Sequence, residues 1–132
     1  MVNQKTAVAL TGRSGEELEE YKKLLLKLNN EVVAAAPEDL LINTHVCRGN
    51  YHSTFFSSGA YDSVAELLFG EENVNAYYLE YDDERSGGFA PLAKVTGDKK
   101  VVLGLITTKT PELEDREKVI NRIHQAAKYI FH

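Results

Sequence analysis

Three short apolar runs, separated by segments with helical periodicity, constrain the fold of this chain more than any other feature. The runs are 40–46, 74–80 and 101–106. Apolar strands that alternate with helices favour a parallel sheet joined by right-handed crossovers. In such architectures the chemistry collects where the strands end, at their carboxyl side. We therefore expect an α/β fold with about three parallel strands and flanking helices.

The segments between and around these runs predict the helices. Ser14 followed by Glu17 is a capping-box pattern, in which each side chain can satisfy a free helix N–H. Apolar residues then recur at helical spacing until Pro37, which disfavours helical geometry at the residue before it. A brief helix is expected over 62–69 and a longer one over 114–130. The segments 47–61 and 81–100 are predicted to be irregular.

Size and charge exclude several classes of protein. The 132 residues suit a single domain, 1–132, with one core. A net charge of -5 disfavours nucleic-acid binding, which needs clustered Lys and Arg. No apolar stretch approaches the ~18 residues of a membrane span, and the first residues do not resemble a signal peptide. We expect a cytoplasmic protein whose single cysteine, Cys47, stays reduced.

The strand ends bring together residues that could hold a metal. His45 and Cys47 lie two apart on a predicted strand, so their side chains point to the same face. Glu80 ends the next strand, which a parallel sheet would place close by. Imidazole, thiolate and carboxylate are all ligands that zinc accepts. A zinc-bound thiol loses its proton, which makes a substrate thiol nucleophilic at neutral pH.

Structural alternatives remain open for every one of these residues. His45 can be a hydrogen-bonded core histidine, and Cys47 a small buried hydrophobe. Glu80 can form an ion pair with Arg48 or Arg85. From the spacing alone, these structural roles outweigh a metal site.

The loops around the strand ends offer further candidates. Arg48 and Asn50 could orient a substrate or could order the following loop. Lys109 could bind an anionic group of a substrate, although a solvated loop lysine is the commoner case. The acidic run 82–84 is expected to be a solvated loop.

Three segments, in their order along the chain, carry a resemblance to a known family. They read THVCRGNYHST, YLEYDDERSGGFAPL and VVLGLITTKTPELED, and a helix VINRIHQAAKYI follows the last of them. Together they resemble the cobalamin-independent methionine synthase family, most of all its short single-barrel members described as 5-methyltetrahydropteroyltriglutamate–homocysteine methyltransferase-like. The likeness runs over residues 14–130.

The resemblance implies a fold, a metal and a reaction. It implies a (β/α)8 TIM-type barrel and a zinc site that activates the homocysteine thiol for methyl transfer in methionine biosynthesis. The family's His-x-Cys ligands fall on His45 and Cys47, and its glutamate ligand falls on Glu80. The methyl donor implied is a methyl-folate.

The chain departs from the family pattern in two ways. The family's fourth ligand, a cysteine in a Pro-x-Cys-Gly segment, has no counterpart here, because Cys47 is the single cysteine. Lys109 stands where larger members have a histidine proposed as a proton donor, which makes Lys109 a candidate catalytic residue. A barrel of this kind needs ~250 residues, so we expect the chain to be a fragment of the catalytic barrel.

Two classes of function therefore follow from the sequence. The first is a zinc-dependent methyltransferase, or part of one, acting on homocysteine or a related thiol. The second is a non-catalytic remnant or a metal- or thiol-binding module. A three-stranded sheet would leave two unpaired edges, so we expect a homo-oligomer in which copies cover these edges.

Overall fold

A computed structural model describes residues 4–130 and shows a three-stranded parallel sheet with flanking helices. The termini of the predicted 1–132 domain, residues 1–3 and 131–132, lie outside the described residues. The strands pair in the order β1-β2-β3, with both pairs parallel. They are β1 (Asn43–Val46), β2 (Ala76–Glu80) and β3 (Lys100–Gly104), and the α-helices are α1 (Gln4–Thr11), α2 (Gly15–Ala34) and α3 (Arg116–Ala126).

The sequence predicted the α/β class, the parallel sheet and two of the three α-helices, and these expectations are confirmed. The boundaries differ, because β1 starts at Asn43 and leaves Leu40 and Leu41 exposed before it. The first helix, α1, was not predicted. Ser14 is at the N-terminus of α2 with extended backbone, but its side chain makes no capping hydrogen bond with the part of the chain that is described.

A single helix was expected over 62–69, in the connection between β1 and β2. The structure instead has two short segments there, one wound more tightly than an α-helix and one wound more loosely. A 3-10 turn spans Tyr61–Ser63, and a π-helical segment spans Glu66–Glu71. Two more 3-10 turns, Glu84–Ser86 and Ala90–Lys94, lie in the segment predicted as irregular. These short turns place aromatic side chains beneath the sheet.

One face of the sheet packs against an aromatic cluster. Tyr77 and Tyr81 are fully buried on β2 and just after it. The Tyr77 ring meets Phe69 at 5.2 Å between centroids, and the Tyr81 ring meets Tyr61 at 5.0 Å. Aromatic pairs at these distances contribute beyond the burial of their area. This cluster, with aliphatic side chains around it, is the core of the protein.

The opposite face of the sheet, which we call the open face, carries exposed side chains. Tyr78, Val102 and Ile106 are 45%, 43% and 60% exposed there. Tyr78 is in register between His45 on β1 and Val102 on β3. Among residues 4–130, no further strand pairs with the outer edge of β1 or of β3. The same residues include no helix long and apolar enough to cross a membrane.

A buried carboxylate lies close to the start of β1 and β2. Glu72 is 2% exposed, and Asn29 donates a hydrogen bond to its Oε1 at 3.3 Å. Its Oε2 has no hydrogen-bond partner among the described residues. Burial raises the pKa of Glu72, and hydrogen bonds from Thr44 and Asn29 offset this only in part. The ionised form of Glu72 is therefore less favourable in the folded chain than in water.

We expect Glu72→Gln to stabilise the protein at neutral pH by about 1 kcal/mol. An acid whose folded pKa is raised binds more protons when folded, so wild-type stability falls as pH rises from the unfolded value of about 4.3 through the raised folded value. The gain from glutamine should vanish near pH 4. Urea unfolding across this range measures it, with the exposed neighbour Glu71→Gln as control. An equal gain at every pH would contradict the assignment.

Candidate functional site

A cleft opens where the strands end, on the open face of the sheet. Its volume is about 290 Å³. The polar residues that line it come from all three strand ends and the loops after them, and besides Thr108 they include six that could bind a ligand or a metal: His45, Cys47, Asn50, Glu80, Asp82 and Lys109. Five of these six were singled out from the sequence as candidate site residues, and the topology brings the five together.

The period of a strand explains why His45 and Cys47 share the cleft. Both are exposed, whereas Val46 between them and Arg48 after them turn toward the core. Val46 pairs with Leu79 in the parallel register, so the next step along both strands brings Cys47 beside Glu80. The three proposed ligands thus lie at one end of one face.

The carboxylate of Glu80 is already engaged by protein groups. Its Oε1 accepts a hydrogen bond from Lys109 Nζ at 3.0 Å. Its Oε2 accepts one from the backbone N–H of Arg48. A second cation, Arg85, lies at a longer distance, with its Nη2 4.0 Å from Oε1. The ion pair with Arg85 was one of the structural alternatives, while the contact with Lys109 was not anticipated.

These contacts decide how well the residues fit a zinc ion. His45 and Cys47 fit as two donors, because they are exposed neighbours on one face. Glu80 does not fit in this arrangement, since Lys109 and Arg48 hold both of its oxygens. Within residues 4–130, no three His, Cys, Asp or Glu side chains form a group that could hold a metal ion.

Asp82 is the site residue that sequence reasoning missed. The acidic run 82–84 was expected to be solvated, but the Asp82 side chain is 5% exposed and contacts Lys109 Nζ at 2.7 Å through Oδ2. Burial raises the pKa of Asp82, but hydrogen bonds from Lys109 and Thr107 outweigh it and lower the pKa below its usual value. Continuing the two-residue period from Glu80 would have placed Asp82 on the same face.

Lys109 is likewise not the solvated lysine that the sequence favoured. Burial lowers its pKa, but its hydrogen bonds to Asp82 and Glu80 outweigh this and raise the pKa above its usual value. Its side chain is 10% exposed. Lys109 is therefore a charged group fixed between two carboxylates.

Arg48 lies on the packed side of the sheet and does not line the cleft. Its guanidinium donates to the carbonyl oxygen of Gly59 at 2.9 Å, and to the Tyr61 hydroxyl and the Glu80 carbonyl oxygen at 3.1 Å each. The Tyr61 ring lies 4.4 Å below its charged carbon. This geometry fits the alternative in which Arg48 orders the loop. Asn50 does line the cleft, and its amide donates to the Thr108 hydroxyl across it.

Comparison with known proteins finds similarity to part of two longer proteins. No protein-family model matches it. Two proteins of Bacillus subtilis (strain 168) are similar to it over 117 residues: Uncharacterized protein YxjH at 46% identity and Uncharacterized protein YxjG at 44%. Each match covers 88% of this chain and 31% of the relative.

A solved structure is also similar to the chain. It is the crystal structure of the "Putative Vitamin-B12 Independent Methionine Synthase" from Listeria monocytogenes. The match has a TM-score of 0.66 and 33% sequence identity, and covers 90% of this chain and 32% of that one. The chain thus spans less than a third of the length of the proteins it matches.

We expect Arg48→Met to lower the free energy of unfolding by about 3 kcal/mol, because it leaves buried carbonyl oxygens without a donor. Arg13→Met is a matched control, since Arg13 also lies over a tyrosine ring, 4.3 Å from the Tyr21 centroid, but is 39% exposed. The control should change stability by roughly 0.5 kcal/mol or less. Urea unfolding followed by circular dichroism compares the two. Equal losses would contradict a stabilising role for the buried hydrogen bonds of Arg48.

Proposed function

We propose that this chain is part of a methyltransferase of the cobalamin-independent methionine synthase kind, with homocysteine or a related thiol as methyl acceptor. One observation carries the proposal. His45, Cys47 and Glu80, which the family resemblance names as zinc ligands, lie at one end of one face of a parallel sheet. Similarity to the Listeria monocytogenes protein supports it from a separate direction.

The proposed fold is one portion of a TIM-type barrel. In such a barrel each strand has one face toward the helices and one toward the barrel axis. The sheet of this chain has one packed face and one open face, and its strands are parallel neighbours in sequence order. The remaining length of its relatives would supply the other strands.

Within that proposal the residues have separate roles. His45 and Cys47 are the zinc ligands that this chain offers, because both are exposed and line the cleft. Asn50 is the candidate for contacting polar groups of the substrate, since its amide lies at the rim beside Thr108. Lys109 is committed to two carboxylates and is not assigned to an anionic group of the substrate. The methyl donor proposed is a methyl-folate.

Zinc and thiol binding test the proposal directly. We expect the chain to bind zinc, and to bind homocysteine only when zinc is present, as measured by isothermal titration calorimetry with methionine as the ligand control. The double variant His45→Ala/Cys47→Ala should lose both signals, because it removes both free donors. His124→Ala is the matched control, since His124 is an exposed histidine on α3. Zinc binding that survives the double variant would contradict the assignment of these ligands.

A second candidate function is a non-catalytic module that associates with itself. The observation that favours it is the open face, where Tyr78, Val102 and Ile106 are each more than 40% exposed next to unpaired strand edges of the described sheet. Exposed apolar surface of this kind marks interaction sites. A second copy of the chain could cover this face and pair with the edges.

We expect multi-angle light scattering at micromolar concentration to find a dimer or larger assembly. Ile106→Glu should shift it to monomer, because it buries a charge in the proposed contact. Leu113→Glu is the control, as Leu113 is 96% exposed but does not line the cleft on the open face. A well-folded wild-type monomer would exclude this candidate.

A further inference from the structure

Lys109 occupies the position that a cation would take at the carboxyl ends of the strands. We propose that its ammonium group is a built-in competitor for divalent metal, which withholds Glu80 from coordination and so sets the metal affinity of the His45–Cys47 pair. This inference rests on the proposed function, since it concerns the same metal site. It predicts that removing the charge at this position strengthens metal binding.

The contacts of Lys109 carry the first step. Its Nζ lies 3.0 Å from Glu80 Oε1 and 2.7 Å from Asp82 Oδ2, and all three side chains are at most 10% exposed. Charge-assisted hydrogen bonds of this length are strong, and poor access of water strengthens them further. The ammonium therefore holds its carboxylates more firmly than a surface lysine would.

Both carboxylate oxygens of Glu80 already accept a hydrogen bond in this arrangement, so a metal would have to compete with the Lys109 ammonium for Oε1. Oε1 accepts a hydrogen bond from Lys109 Nζ, and Oε2 accepts one from the backbone N–H of Arg48. The backbone contact is fixed by the fold, whereas the lysine side chain can rotate away. Release of Lys109 is thus the step that makes Glu80 available beside Cys47.

Asp82 gives the released ammonium a place to stay. Its Oδ2 already contacts Lys109, and its buried Oδ1 has no hydrogen-bond partner within the described residues. Lys109 can therefore give up Glu80 and keep Asp82 as its one carboxylate partner, which leaves its Nζ more accessible than it is between two carboxylates. The loss of one charge-assisted hydrogen bond and the repulsion from a nearby ammonium then both oppose metal binding.

The charges around the site favour an added cation once Lys109 is neutral. Glu80, Asp82 and Asp83 carry three formal negative charges, and Lys109, Arg85 and the buried Arg48 carry three positive ones. Replacing Lys109 with an uncharged side chain of similar length changes this local balance from 0 to -1. A divalent ion would meet a more negative site with one carboxylate oxygen free.

The experiment measures zinc affinity of the whole chain by competition with a chromophoric chelator. Lys109→Met should bind zinc at least tenfold more tightly than wild type, and Lys109→Arg, which keeps the charge, should stay within threefold of it. Lys94→Met is the matched control, because Lys94 forms an exposed ion pair with Glu66 at 2.9 Å, away from the cleft. Circular dichroism confirms folding of each variant.

Each outcome decides between the two proposals. Equal affinities of wild type and Lys109→Met, both lost on adding His45→Ala/Cys47→Ala, would overturn the competition and leave the zinc site standing. Weaker binding by Lys109→Met would also overturn it, by showing that the lysine supports the site. Absence of zinc binding in every variant would overturn the zinc site itself, and the competition with it.

The displacement of Lys109 can also be measured on the wild-type chain, without relying on the folding of a variant. Lysine acetylation followed by mass spectrometry reports how accessible each Nζ is to reagent. Saturating zinc should raise the modification rate of Lys109 at least threefold and leave that of Lys94 unchanged. An unchanged rate at Lys109 under saturating zinc would contradict its displacement from Glu80.

Discussion

The buried guanidinium of Arg48 is the interaction on which the carboxyl end of the sheet depends. A charge taken out of water is tolerated only when hydrogen bonds replace its hydration, and Arg48 finds them in three segments of the chain. It donates to Gly59 in the long loop, to Tyr61 in the turn beneath the sheet and to the main chain of Glu80. One side chain thereby closes the loop against β2 and fixes the direction of Glu80.

The alternation of side chains along the strands then separates structure from chemistry. On β1 and the residues that follow it, His45 and Cys47 point to the cleft while Arg48 turns to the core. On β2 the same period sends Tyr77 and Tyr81 into the aromatic cluster and Glu80 to the cleft. A one-residue slip of register would exchange the two sets and destroy both. The stability of the core and the placement of the candidate ligands are therefore set by one register.

At the strand ends, the negative charges of carboxylates are offset by cationic side chains of the same chain. Two carboxylates, Glu80 and Asp82, meet the ammonium of Lys109, and Arg85 adds a second cation at longer range. Two carboxylates that contact the same ammonium lie close to each other, and they need such cationic partners to stay ionised together. The same balance explains why His45 and Cys47, which have no part in it, are the donors left open to the cleft.

The sequence by itself determined the α/β class, the parallel strands and most of the candidate residues, because strand periodicity and strand ends are local features. It could not determine that Lys109 pairs with Glu80 and Asp82, because these residues precede it in the chain by 29 and 27 positions. It also left open whether Arg48 faced a substrate or the core. Only the tertiary structure decided these points, since ion pairs and burial depend on which segments the packing of the sheet brings together.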